Sequence, residues 1–386
     1  MLLFGMMIPN PAHLRPMTIR ARASASPRLG DILTPEANSF GVLRFAMATL
    51  VLFSHSYLYC AGTSDVEPLV SWLGRSLGEY AVGVFFILSG VMVAQSFDRS
   101  GSAIDFAAAR TLRIFPALIV CVFVTSFIVG PIVSRLAPAD YVSSAGLYAY
   151  VAKTLTLSSG SASLPGVFET NPFAGYVNSS LWTLKYEVIC YFGLGFLGLA
   201  GLFQQRWWFP FVVGLGLLVA TVSLGLPSDI DAYGFLDNLR YFVVFFGSGV
   251  LAYLLRDHLV INGMALVPLF ALFVVGARTP FAEVSAAMFL GYGALWAATK
   301  SFGPLRALCN RFDTSFGIYI FAGPTQQTLL WLIPGLTPVW LSLTAFAIVL
   351  PIAFLSWIVI EKPALRLRSS VVGQLKKRSS AVAVPG

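Results

Sequence analysis

Arg44 and His55 stand eleven residues apart in the apolar stretch Asn38–Cys60, NSFGVLRFAMATLVLFSHSYLYC. Eleven residues make about three helical turns, and at about 100° per residue the two side chains leave one face about 20° apart. The rise between them is about 16 Å, roughly half the hydrocarbon thickness of a bilayer. In a helix crossing a bilayer, Arg44 sits near one edge and His55 near mid-depth. Ionisable groups at that depth face a bundle interior or a wet cavity and mark a functional path. An imidazole, with its ordinary pKa near 6.5, can act there as a general base or as a nucleophile. Taken singly, Arg44 also reads as a snorkelling flank residue and His55 as a core histidine bonded to a carbonyl. Their shared face favours chemistry.

Three further groups belong with them. Arg110 and Arg113 lie three apart, one helical face, at the start of the apolar run AARTLRIFPALIVCVFV. They read either as ordinary positive flanking charge or as planar forks suited to phosphate. Pro116, just beyond, is expected to kink the helix or free a carbonyl. Glu187 falls about two turns into NSSLWTLKYEVICYFGLGFL. A carboxylate there needs a partner: Lys185 or another helix if structural, a cleft if catalytic. Trp182 and Tyr186 are four apart on one face, either a stacking wall for a substrate or part of an interfacial aromatic belt.

The elements that must carry these groups are apolar spans. The chain has 386 residues, 57% of them hydrophobic and only 11% charged, where a soluble globular chain is nearer about 25% charged. The composition predicts an all-α, polytopic integral membrane bundle. After the first stretch, spans are expected at about Tyr80–Phe97, Ala108–Val124, Asn178–Leu197, Trp207–Leu224, Tyr241–Leu255, Val260–Val275, Ala282–Thr299, Phe316–Leu332 and Val339–Ile360, about ten transmembrane helices. Gly83 and Gly90 in the second permit close helix approach. Residues 131–180 form the longest non-spanning region, with a short interfacial helix expected over Tyr148–Leu157. The net charge of +8 would suggest nucleic acid in a soluble protein; here the basic residues sit in short loops and tails. Asp229, Asp231 and Asp237 fall in one connection, whereas Arg206, Arg256, Lys300, Arg306, Arg311, Lys362, Arg366, Arg368, Lys376, Lys377 and Arg378 fall in others. The asymmetry places both termini in the cytoplasm. Residues 1–37, with Arg15, Arg20, Arg22 and Arg28, read as a flexible basic tail rather than a signal peptide, and 363–386 as a second basic tail. Cys60, Cys121, Cys190 and Cys309 make no metal pattern, so neither a structural disulfide nor a metal site is expected.

Taken in order, these motifs resemble the membrane-bound acyltransferase-3 family. Its Arg and His in the first span match Arg44 and His55. Its Phe-rich Ser-Gly span matches Phe85, Phe86, Ser89 and Gly90, and its Arg-x-x-Arg matches Arg110 and Arg113. Its Leu-Trp-Thr-Leu-x-x-Glu segment matches Leu181 to Glu187. DTSFGIYIFAGPTQQ (313–327) and EKPALRLR (361–368) resemble its late segments. Ala322 stands where many members have a histidine, Phe316 replaces the usual tyrosine, and Gln326 and Gln327 follow a subgroup pattern.

The resemblance implies an integral inner-membrane O-acyltransferase, of bacterial type, with residues 38–362 as its transferase domain. It implies acetyl-CoA or another acyl-CoA as donor, with no metal, and a cell-surface polysaccharide or its lipid-linked precursor as acceptor. His55 is then base or nucleophile, with Glu187 orienting it; Arg44, Arg110 and Arg113 hold the CoA phosphates; and Trp182, Tyr186, Ser89, Tyr319 and Gln326 line the substrate path. A transporter or flippase is the alternative from another class, and a succinyl donor or a small-molecule acceptor the alternative within this one.

Overall fold

The computed structural model describes residues 26–158, 163–205, 207–223 and 234–382, with backbone alone for 222, 223 and 376–382. Arg15, Arg20, Arg22, Arg206, Asp229 and Asp231 lie outside the described residues, as do the side chains of Lys376, Lys377 and Arg378.

The described chain is helical, with two isolated bridges, Arg28 to Val260 and Ser134 to Val167. Each expected apolar stretch forms a helix: α1 (Phe40–Ala61), α2 (Leu77–Ser100), α3 (Ala103–Val124), α4 (Leu184–Leu199), α5 (Trp208–Ser223), α6 (Phe235–Leu254), α7 (Leu266–Gly276), α8 (Ala282–Ala298), α9 (Ser315–Leu332) and α10 (Pro338–Ser356). Among the described residues, five helical segments are long and apolar enough to cross a membrane: Phe40–Ala61, Leu77–Ser100, Ala103–Val133, Phe235–Leu254 and Pro338–Leu375. The others are shorter or more polar, and α4 has 16 residues. Their outward faces still carry large apolar side chains: Phe192, Phe196, Phe211, Val275 and Leu332 are all exposed. A water-facing surface of that make-up would be an association patch; a lipid-facing one is ordinary.

α1 and α2 occupy the centre. α1 packs against α2, α9 and α10, while α2 packs against α1, α6 and α8. α1 and α2 are antiparallel, since Gly78 passes Ser54 near the C-terminal end of α1. α1 and α9 run parallel: Arg44 meets Asp313 just before α9, and further along Gln326 donates to Ser56 at 2.7 Å. Glycine sets the α2–α6 crossing. A Cβ on Gly90 would lie 2.2 Å from the Phe246 carbonyl, and one on Gly249 2.1 Å from that of Ile87. Gly83 instead receives the Phe245 ring.

Several expectations change. The helix in the long connection runs over Ala145–Leu155, not Tyr148–Leu157, and a shorter one precedes it at Pro138–Ser143. α3 continues through Pro116. Within the stretch read as a trailing tail, Leu29, Ile32 and Leu33 are buried, and the Leu29 and Gly30 amides bond the carbonyls of Leu259 and Arg256. At the other end, Lys362–Arg366 and Arg368–Val382 are helical and Arg368 pairs with Asp105.

Candidate active site

Two cavities lie end to end beside α1. The larger, about 460 Å³, is lined by Arg44, Arg110, Arg113, Glu187, Asp313 and Arg368, with Phe85 and Ser89 of α2 further in. The smaller, about 70 Å³, holds His55 with Ser179 and Trp182, and reaches Arg75, Glu79 and Asn238 near the N-terminal ends of α2 and α6. Val82, Thr183 and Tyr319 line both. The Thr183 and Tyr319 hydroxyls meet at 2.5 Å, and Tyr319 donates to the Ser180 carbonyl at 2.9 Å. This hydroxyl pair is the partition between vestibule and chamber.

The one-face relation of Arg44 and His55 thus becomes a path with an arginine end and an imidazole end. Positive charge in the vestibule is partly answered from within. Asp313 accepts from Arg44 at 2.6 Å and from Arg113 at 2.7 Å, and Arg113 also reaches Glu361 at 3.1 Å. Burial alone would push the Asp313 carboxyl up, but the Arg113 and Arg44 guanidinium groups hold it well below the usual carboxylate range. It therefore stays ionised throughout the neutral range, and the cluster stays assembled. Arg368 is bound to Asp105. Arg110 has no carboxylate partner among the described residues; its Nε is buried without a hydrogen bond, and its guanidinium lies 5.7 Å from the Tyr191 ring centroid. Of the three arginines expected to meet phosphate, Arg110 is the one left with charge to spare.

Other expected roles are redistributed. Glu187 does not orient His55. Its carboxylate accepts from Tyr191 one turn on, and Tyr191 also meets Ser89 at 2.9 Å, so all three belong to the vestibule wall. Nor does Lys185 pair with Glu187; its ammonium lies over the Tyr186 ring at 4.8 Å. What meets His55 is Ser180, whose Oγ lies 3.4 Å from Nδ1. Trp182 lines the chamber, but Tyr186 is buried and stacked on Phe235, outside both cavities. Gln326 is a tie between helices: its Nε2 donates to the Leu52 carbonyl at 2.8 Å and to Ser56. Each of these differences has the same cause. Spacing along one helix says which residues share a face but not which neighbour covers that face.

Residues that sequence reasoning left without a role complete the site. Asp313 and Glu361 stand in segments that the motifs had flagged, but only the packing of α3 between them turns them into partners of Arg113. At the far end, Arg75 bridges Glu79 and Glu283, and Arg240 also binds Glu283 at 2.7 Å. Beyond the Arg75–Glu79 pair no local pattern signals that network, because its members come from three separate stretches of chain.

A family model described as an acyltransferase domain matches residues 38–362. The chain is 30% identical over 336 residues to a protein of Shigella phage Sf6 named O-acetyl transferase, an alignment covering 85% of this chain and 96% of that one. It is 27% identical over 375 residues to Nodulation protein 10 of Rhizobium leguminosarum bv. viciae, covering 87% and 95%. No solved structure matches the chain.

Proposed function

Because the chain belongs to the acyltransferase-3 family, we propose that it moves an acetyl group from acetyl-CoA to a hydroxyl of a cell-surface carbohydrate or its lipid-linked precursor. It does so from a bacterial inner membrane that its helices cross about ten times, with both termini in the cytoplasm. The relative named O-acetyl transferase supports oxygen as the accepting atom.

One observation carries the reading: an arginine-lined vestibule and a histidine chamber meet at a single pair of hydroxyls. A CoA nucleotide brings several phosphate charges. Arg110 offers them a guanidinium not already committed to a carboxylate, and Arg44 and Arg113 add a fixed, half-neutralised rim. The extended pantetheine arm is comparable with the roughly 16 Å rise from Arg44 to His55. The thioester then reaches the chamber while the nucleotide stays at the inner mouth. The acceptor arrives from the opposite mouth, past Trp182, whose ring suits a sugar face, and past the Arg75, Glu79 and Asn238 polar groups. His55 takes the proton from the acceptor hydroxyl as that oxygen attacks the thioester carbon, and returns it to the departing sulfur.

The test is acetyl transfer from labelled acetyl-CoA by His55→Ala and wild type at matched levels of folded protein. Loss of a positioned base predicts a fall of about 100-fold or more. Wild-type turnover from the variant would overturn the proposal.

A further inference from the structure

The proton carrier of that reading sits against a wall that no motif singled out. Asn178, Ser179 and Ser180 form a short, buried, non-helical run just before α4. Its anchoring is built into α9. A helical N–H bonds the carbonyl four residues back, so Pro324, having none, leaves the Ile320 carbonyl free. Asn178 takes most of that vacancy, its Nδ2 donating to the Ile320 carbonyl at 2.7 Å, with the Cys121 thiol of α3 a second donor at 3.2 Å. Gly323 gives the room: a Cβ there would lie 2.8 Å from both Asn178 Oδ1 and the Tyr59 hydroxyl. Tyr59, one turn after His55 on α1, accepts from the Ser179 amide at 3.0 Å, and the Ser180 amide donates to Asn178 Oδ1 at 3.1 Å.

The two serines so fixed are used differently. Ser180 Oγ lies 3.4 Å from His55 Nδ1, and the other ring nitrogen has no hydrogen bond among the described residues. Ser179 Oγ is buried and lines the chamber; it lies beside the Tyr59 hydroxyl but makes no well-formed hydrogen bond among the described residues. A buried hydroxyl so poorly satisfied is costly unless a ligand completes it.

We propose that this run is the second working wall of the chamber: Ser180 is a positioning residue that holds Nδ1 and turns the free ring nitrogen to the acceptor, and Ser179 donates to the acyl carbonyl oxygen. The inference rests on the transferase reading. In the step it assists, the acceptor oxygen bonds to the acyl carbon and its proton passes to the free nitrogen of His55. The C–S bond then breaks, and the imidazolium returns the proton to sulfur. While oxygen and sulfur are both attached, the carbonyl oxygen carries negative charge, and a preset hydroxyl donor is worth most at that moment.

The experiment compares Ser179→Ala, Ser179→Thr, Ser180→Ala and His55→Ala in purified full-length protein, with acetyl-CoA as donor and methyl glucoside as the hydroxyl probe. Thermal unfolding and acetyl-CoA binding at the vestibule certify that each variant is folded. Ser179→Ala is expected to lower kcat about 100-fold with donor KM and pH profile unchanged, and Ser179→Thr to recover most of it. Ser180→Ala is expected to lower kcat about tenfold and to move the acid limb of the profile. If His55→Ala is inactive while the folded Ser179→Ala and Ser180→Ala proteins match wild type, this inference falls and the transferase reading stands. If His55→Ala is fully active, or wild type transfers nothing, both fall.

Discussion

Among single residues, charge is distributed less evenly than the sequence suggests. The three arginines of the vestibule look equivalent, yet Arg44 and Arg113 share Asp313, and Arg113 takes Glu361 as well. Breaking such a cluster leaves an uncompensated charge, so substitutions there report on folding as much as on binding. Arg110 is the cleaner probe, since its charge answers no carboxylate among the described residues. Arg110→Ala is expected to raise KM for acetyl-CoA about tenfold or more, the value of one charge-assisted contact of about 1.5–3 kcal/mol, with kcat and thermal stability little changed. Arg110→Lys should recover only part, because an ammonium lacks the planar fork. Initial rates over a range of donor concentrations decide it; an unchanged KM would remove Arg110 from the donor site.

Among elements, the site depends on a helix that is locally broken and a loop that repairs the break. α9 carries Pro324 in its interior, beside Gly323. In a helix interior, proline is about 3 kcal/mol less favourable than alanine, so Pro324→Ala should leave thermal stability the same or higher. It also restores an N–H that competes with Asn178 for the Ile320 carbonyl. Activity is therefore expected to fall about tenfold while the melting temperature holds. A variant that is more stable and fully active would show that the freed carbonyl does not govern the serine run. The proline and glycine were visible in the sequence, but their purpose was not. Proline says that a carbonyl is released; that Asn178, from a loop about 140 residues earlier, and Cys121 of α3 take it is decided by packing.

At the scale of the whole molecule, the two cavities fix a direction. The vestibule opens at the N-terminal end of α1 and the chamber towards the N-terminal end of α2, and these helices are antiparallel. If donor and acceptor arrive from opposite sides of a membrane, Asp65, after α1, and Ser301, after α8, must lie on opposite faces; both are exposed. In a protein cleared of its native cysteines, Asp65→Cys should react with a membrane-impermeant maleimide in intact cells and Ser301→Cys only after permeabilisation. Equal labelling would refute the orientation. The sequence by itself determined the material: a low-charge, helix-forming chain, the family motifs, and the single face shared by Arg44 and His55. Periodicity carries that information because a helix's own geometry dictates it. Only the tertiary structure decided the pairings. Asp313 is drawn to Arg44 and Arg113, Glu187 goes to Tyr191 rather than His55, and Gln326 and Tyr186 are consumed by packing. It also decided that Ser180 meets the imidazole and that Tyr319 and Thr183 divide the path. Such contacts join segments far apart in the chain, and their partners are chosen by how helices cross, which no local spacing records.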